Sequence, residues 1–197
     1  MSEDLTYAVL LRLDADTLQA VTPLHERFQR LHPTQVLMPP QIVIKSFFRP
    51  CVPCGILIQR LQVSLQDFQA VEVHLGDKRW TADGSYLWDA SMLPDGEQNM
   101  ALIHLKTKVW STVTSLVSLF CEFTPNEPFS YRTNNPWQPG VQLWRSPDLL
   151  PEDLPLPLPR TARCTVMDLY RVTLQAGYPI RWEHVAAFPA LQHHSIP

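Results

Sequence analysis

The sequence predicts an α+β fold, and three observations carry that prediction. Segments with an apolar residue every three or four positions alternate with short β-branched or alternating runs. Several strand candidates are joined by connections too short for a crossover helix, which suits antiparallel pairing. One strand format also occurs twice, about half a chain apart.

Tyr7 to Leu13 is an apolar run closed by Asp14-Ala15-Asp16, the pattern of a short buried strand. Leu18, Val21, Leu24, Phe28 and Leu31 then recur at helical spacing, so an amphipathic helix is expected between Asp16 and Leu31. Pro23 interrupts that pattern. Lacking a backbone donor, it is expected to kink the helix or to restart it, with Thr22 as N-cap and Pro23 in the first helical position.

Gln41 to Phe47 is β-branched and follows prolines, a second strand; Gly55 to Gln66 is a short helix. Phe68 to Leu75 sets Val71, Val73 and Leu75 against Glu72 and His74, as a half-exposed strand does. A turn at Asp83-Gly84 leads into a strand from Ser85 to Trp88. Glu97 to Phe120 holds the longest helical period, with Leu102, Val109, Trp110, Val113 and Leu116 on one stripe and Lys106 its one polar member. A Pro- and Asn-rich stretch from Pro125 to Pro136 follows, then a strand from Gly140 to Trp144 and a proline-rich connection up to Pro159. Two last strands, Thr165 to Thr173 and Trp182 to Phe188, flank a turn at Ala176-Gly177.

Composition narrows the function classes. A chain of 197 residues with 45% hydrophobic content fits one domain, residues 1-197, with a core of its own. The formal net charge of −3 argues against a broad nonspecific nucleic-acid binder, which carries a basic excess. No apolar run is long enough to span a membrane, and MSEDLT is acidic where a signal peptide is basic, so a soluble cytoplasmic protein is expected. Proline, at 19 residues, is about twice its usual share and gathers in connections, so stiff loops should punctuate the chain.

The repeated format is Pro40-Gln41-Ile42-Val43-Ile44-Lys45-Ser46 and Pro139-Gly140-Val141-Gln142-Leu143-Trp144-Arg145-Ser146. Each copy follows a helical segment in its own half. These segments resemble the two motif strands of the 2H phosphoesterase superfamily, the 2′–5′ RNA ligase-like and cyclic phosphodiesterase-like proteins. That family's motif reads Pro-His-hydrophobic-Thr/Ser-hydrophobic, once per lobe. FQAVEVHLGDKRW with GSYLWDA is similar to the family's paired strands between the motifs. VMDLYRVTLQAGYPIRWEHVAAFPAL is similar to its closing hairpin. The likeness spans nearly the whole chain. It implies two pseudo-symmetric lobes whose antiparallel sheets face a central cleft, with helices outside.

The departures from that pattern matter as much as the likeness. Gln41 and Gly140 stand where the family has its two histidines, and Val43 and Gln142 stand at the hydroxyl positions. The family's reaction needs one imidazole as general base and another as general acid around a phosphodiester. Its hydroxyls stabilise the charge that develops on the phosphoryl oxygens. Glutamine, valine and glycine transfer no proton at neutral pH. No catalytic residue is therefore assigned, and the family's reaction is not expected.

Strand alternation adds Lys45 and Trp144 to the same lining, since residues two apart share a face. The expected cleft set is Gln41, Val43 and Lys45 opposite Gly140, Gln142 and Trp144. Its cation, amides and indole fit a nucleotide, an RNA end or another phosphate-bearing ligand; a protein partner for the cleft is a further expectation. The alternative is a divergent RNA 2′,3′-cyclic phosphodiesterase or 2′–5′ ligase-like hydrolase that uses replaced residues.

Other features are read as structural. Cys51 and Cys54 have the spacing of half a zinc site, but Cys121 and Cys164 are single and distant, so no metal and no cofactor are expected. The histidines, including His25, His74, His104 and His184, fall outside the motif positions and are expected to be structural. The Leu154 to Arg160 tract, with a proline at every second residue, lacks PxxP spacing and is expected to be a stiff connection.

Overall fold

A computed structural model describes residues 5–81, 84–117, 137–145, 157–175 and 178–191. In chain order the elements are β1 (Thr6–Arg12), α1 (Ala15–Leu31), β2 (Ile42–Phe48), α2 (Cys54–Ser64), β3 (Val71–Leu75), β4 (Lys78–Trp80), β5 (Ser85–Asp89), α3 (Met100–Thr114), β6 (Gly140–Arg145), β7 (Arg160–Cys164), β8 (Val166–Gln175) and β9 (Tyr178–Pro189). The mix of helices with antiparallel strands is the expected α+β fold.

The seven-stranded sheet has the order β4-β5-β6-β2-β1-β8-β9, and every neighbouring pair in it is antiparallel. Its two halves meet at a single pair, Ile42 of β2 against Val141 of β6. The two strands of the repeated format are therefore direct neighbours at the centre. β3 leaves this sheet and pairs instead with β7, so the strands around residues 68–89 are not one hairpin; β4, not β3, pairs with β5. The sequence hides β4 and β7 because β4 has three residues and no alternation, while β7 buries only the small side chains of Ala162 and Cys164.

Helix α1 runs unbroken through Pro23. Its N-cap is Asp14, whose Oδ1 accepts from Thr17 N at 2.9 Å; Thr22 does not restart a helix but donates its hydroxyl back to Leu18 O. An interior proline costs about 3 kcal/mol. Val21, Leu24 and Phe28 are fully buried on one stripe and together contribute more than that, at about 1.5–3 kcal/mol each. Burial wins, and the exposed Pro23 is carried along. Helix α3 starts at Met100 because Asn99 caps it, accepting from Leu102 N and donating to Glu72 O; its expected continuation to Phe120 lies partly outside the described residues.

The sheet faces differ. Tyr7, Val9, Leu11, Ile42 and Ile44 join one large buried cluster with residues of all three helices, among them Phe28 of α1, Leu61 of α2 and Val109 of α3. On the opposite face Ala8, Leu10 and Val172 form a small cluster, flanked by Met38, Val43, Phe47, Tyr170, Leu174 and Trp182. No described helix residue joins that second cluster, so this face is the one on which a site can open. No described helix is long and apolar enough to cross a membrane.

Candidate functional site

Cross-strand partners share a face, so the pairings of β1 with β8 and β8 with β9 determine what stands beside the small cluster. Leu10 faces Asp168, Ala8 faces Tyr170, and Tyr170 faces His184. Arg12 follows on the same face of β1, and Gln41 immediately precedes β2. Five polar side chains, from three strands and the residue that precedes β2, thus converge.

Asp168 is their centre and is fully buried. Arg12 grips it with both prongs, Nε donating to Oδ2 at 2.8 Å and Nη2 to Oδ1 at 2.5 Å. Gln41 Nε2 donates to Oδ2 at 3.0 Å, and His184 Nε2 lies 2.9 Å from Oδ1. Facing a carboxylate, that ring nitrogen is the donor, which leaves Nδ1 on the outer side. The Asp168 hydrogen bonds raise the Arg12 pKa above its ordinary value. Gln41 Nε2 also reaches the Tyr170 hydroxyl at 3.1 Å. Burial, and then the Asp168 charge, push the Tyr170 phenol above its ordinary pKa, so it keeps its proton at neutral pH. Gln41 Oε1 is buried with no hydrogen-bond partner.

The second motif strand reaches the same segment by another route. Gln142 Oε1 accepts from Met38 N at 3.0 Å, and its Nε2 donates to Ser85 Oγ at 2.8 Å. The Ile42–Val141 pair places 41 and 142 on one side of it and 43 and 140 on the other. Val43 flanks the small cluster, and its carbonyl accepts from Trp137 Nε1 at 3.0 Å. Gly140 is close-packed: a Cβ there would stand 2.7 Å from the Trp88 carbonyl oxygen. No side chain fits in that place without a shift of β5.

Lys45 and Trp144 are not brought together, which corrects the expectation from alternation. The register of β2 slips between Val9↔Lys45 and Leu10↔Val43, so Ile44 is an extra residue. The register of β6 slips between Tyr86↔Trp144 and Leu87↔Gln142, so Leu143 is extra. A bulge turns the residue after it back to the face just left. Both bulges fall two residues beyond the Ile42–Val141 pair, and both turn the next side chain toward the helices. Lys45 places its amine 4.8 Å from the ring centre of Trp110 on α3. Trp144 is 2% exposed and packs edge-on against Phe28 of α1 at 5.0 Å.

Sequence reasoning set aside His184 and did not single out Arg12, Asp168 or Tyr170. The available signal was Asp168 and Tyr170 two apart in the first, mostly apolar half of β8, with His184 and Trp182 two apart on the next strand. Among the described residues no group of three His, Cys, Asp or Glu side chains is placed to hold a metal ion. Cys51 is exposed and donates to Leu116 O, whereas burial, then Asp14, pushes the Cys164 thiol up to about 12.

No protein-family model and no curated protein sequence matches the chain. Solved structures do. E. coli LigT complexed with 3′-AMP is 14% identical, with a TM-score of 0.59 over 96% of this chain and 100% of that one. E. coli LigT complexed with ATP is 12% identical, with a TM-score of 0.61 over the same shares. A crystal structure described as a phosphoesterase is 12% identical, with a TM-score of 0.63 over 96% and 100%. At these identities the fold is what is shared, and it is the 2H phosphoesterase-like fold the motif strands predict.

Proposed function

We propose that this chain binds a phosphate-bearing ligand, a nucleotide or an RNA end, on the face of its large sheet that no described helix covers, and does not turn it over. The observation that carries the proposal is the state of the two motif positions. Gln41 has its amide nitrogen engaged by Asp168 and Tyr170, and Gly140 has neither a side chain nor room for one. Neither position supplies a proton carrier, while the Arg12 guanidinium and the His184 imidazole, both about half exposed, meet Gln41 at Asp168. LigT has been crystallised with 3′-AMP and with ATP, so a ligand of that kind is compatible with the fold.

The alternative, a divergent phosphodiesterase with replaced residues, is favoured by one feature: His184 backed by the buried Asp168 carboxylate. One experiment separates the two. Purified protein is titrated with 3′-AMP by calorimetry and incubated with 2′,3′-cyclic nucleotides. Binding without hydrolysis is expected, because acid and base groups each contribute roughly 10²–10⁴-fold. Hydrolysis well above background that disappears in His184→Gln establishes the alternative instead.

A further inference from the structure

We propose that Phe47, Trp182 and Tyr170 form a stacking platform for the base of the bound nucleotide, one that takes any base and selects a nucleotide over an abasic sugar phosphate. The inference rests on the reading that this face binds a phosphate-bearing ligand, and it assigns where the base lies and how it is recognised.

Three strands supply the rings: Phe47 from β2, Tyr170 from β8 and Trp182 from β9. Trp182 is the middle member. Its ring centre lies 5.7 Å from that of Phe47 and 6.0 Å from that of Tyr170. Tyr170 stands edge-on to Trp182 and, at 5.4 Å, to His184, whose Nε2 contacts Asp168. The row therefore begins beside the Asp168 network and leads away from it. Ala8, Leu10 and Val172 are buried against it, while all three rings stay partly exposed.

Covering that small cluster requires no aromatic ring, since Met38 and Leu174 flank it as well. What sets the rings apart is where their polar atoms point. Trp182 Nε1 is buried with no partner among the described residues, so the exposed part of the indole is carbon. The Tyr170 hydroxyl is engaged by the buried Gln41 amide. The row thus offers a heterocycle its π faces, with the indole N–H turned away. Stacking of that kind tolerates any base, because every base has a π face. The ring-to-ring contacts fix the side chains beforehand, which reduces the ordering that binding requires. A ligand with a planar part and a polar part, as a nucleotide has, meets both the row and the network beside it.

The test uses the full chain with adenosine 5′-phosphate, uridine 5′-phosphate and ribose 5-phosphate, which share the phosphate position and differ in the base, and with 3′-AMP. By calorimetry adenosine 5′-phosphate should bind about tenfold or more tighter than ribose 5-phosphate, the scale of one stacked base. Uridine 5′-phosphate should lie within about tenfold of the adenosine ligand. Trp182→Leu should weaken 3′-AMP by about tenfold, whereas Trp182→Phe, which keeps an aromatic face, should retain most of the affinity. If the leucine variant melts early, the wild-type ratio of adenosine 5′-phosphate to ribose 5-phosphate decides. Equal affinity for those two ligands, or 3′-AMP binding unchanged in folded Trp182→Leu, overturns the platform and leaves phosphate binding intact. A hundredfold preference between the two bases overturns it as well, since the base would then be read by hydrogen bonds. Absence of binding by all four ligands to folded protein overturns the platform and the proposed function together.

Discussion

Gln41 Nε2 and Asp168 Oδ2 stand 3.0 Å apart across 127 residues of sequence. Their contact ties the start of the first motif strand to the closing hairpin. It also explains why a glutamine is tolerated at that position. Its amide nitrogen has two oxygen acceptors, whereas the reverse amide orientation would set Oε1 against a carboxylate.

Replacing Asp168 with Asn should therefore destabilise the fold. Arg12, Gln41 and His184 would all lose a charged acceptor, and a hydrogen bond to a charged group is worth about 1.5–3 kcal/mol. Because Arg12 and His184 are half solvated, the total should stay near the cost of one or two such bonds. Urea unfolding of the two proteins measures it, and an unchanged midpoint would show that the network holds nothing together.

Gly140→Ala should cost about 1–3 kcal/mol, the usual range for overpacking. The added methyl meets a backbone carbonyl at 2.7 Å, which cannot rotate away as a flexible side chain would. The expected result is a lower melting temperature with an unchanged far-ultraviolet spectrum. A variant as stable as the wild type would mean that β5 yields freely, and that a histidine at this position would be sterically tolerable.

Much of this architecture was legible from residues alone. Period and alternation located α1 and β3, because each buries a regular stripe, while prolines, β-branching and turn residues marked β2, β5 and β6. The site was legible only up to the motif pair. Gln41 meets Asp168 and Tyr170 and Val43 flanks the small cluster, whereas Lys45 and Trp144 turn toward the helices, because a bulge inserts one residue with no mark in the sequence. Arg12, Asp168 and His184 come from three strands far apart in the chain, and only the sheet order β1-β8-β9 makes them neighbours.

His25 should make the protein acid-sensitive. Burial lowers its pKa below the ordinary value, and its Nε2 lies 2.7 Å from the Gln142 carbonyl oxygen. Below about pH 6.5 the unfolded chain binds a proton at this position that the folded chain resists, so stability is fully present above that pH and falls as acid is added. His25→Gln retains a donor and removes the titration. Melting curves over a pH series should separate the two proteins on the acid side only; parallel curves would mean the imidazole is free to charge in the fold.

Trp144 provides the sharpest check on the bulge geometry, because alternation and the observed register assign it opposite roles. In the observed register the indole lies beneath α1, edge-on to both Phe28 and His32, and its Nε1 is buried without a partner. Trp144→Ala removes most of that packing and should cost about 3–5 kcal/mol. Trp144→Phe loses some volume but also removes the unsatisfied donor, whose burial costs about 1–3 kcal/mol. The two terms oppose each other, so the phenylalanine variant should lie within about 1 kcal/mol of the wild type. Its affinity for 3′-AMP should be unchanged, since the ring is covered by helix and not by ligand. Denaturant midpoints and calorimetric titration of both variants read the two quantities separately. A phenylalanine variant with an unchanged midpoint and tenfold weaker nucleotide binding would return the indole to the open face and remove the bulge at Leu143 from the account.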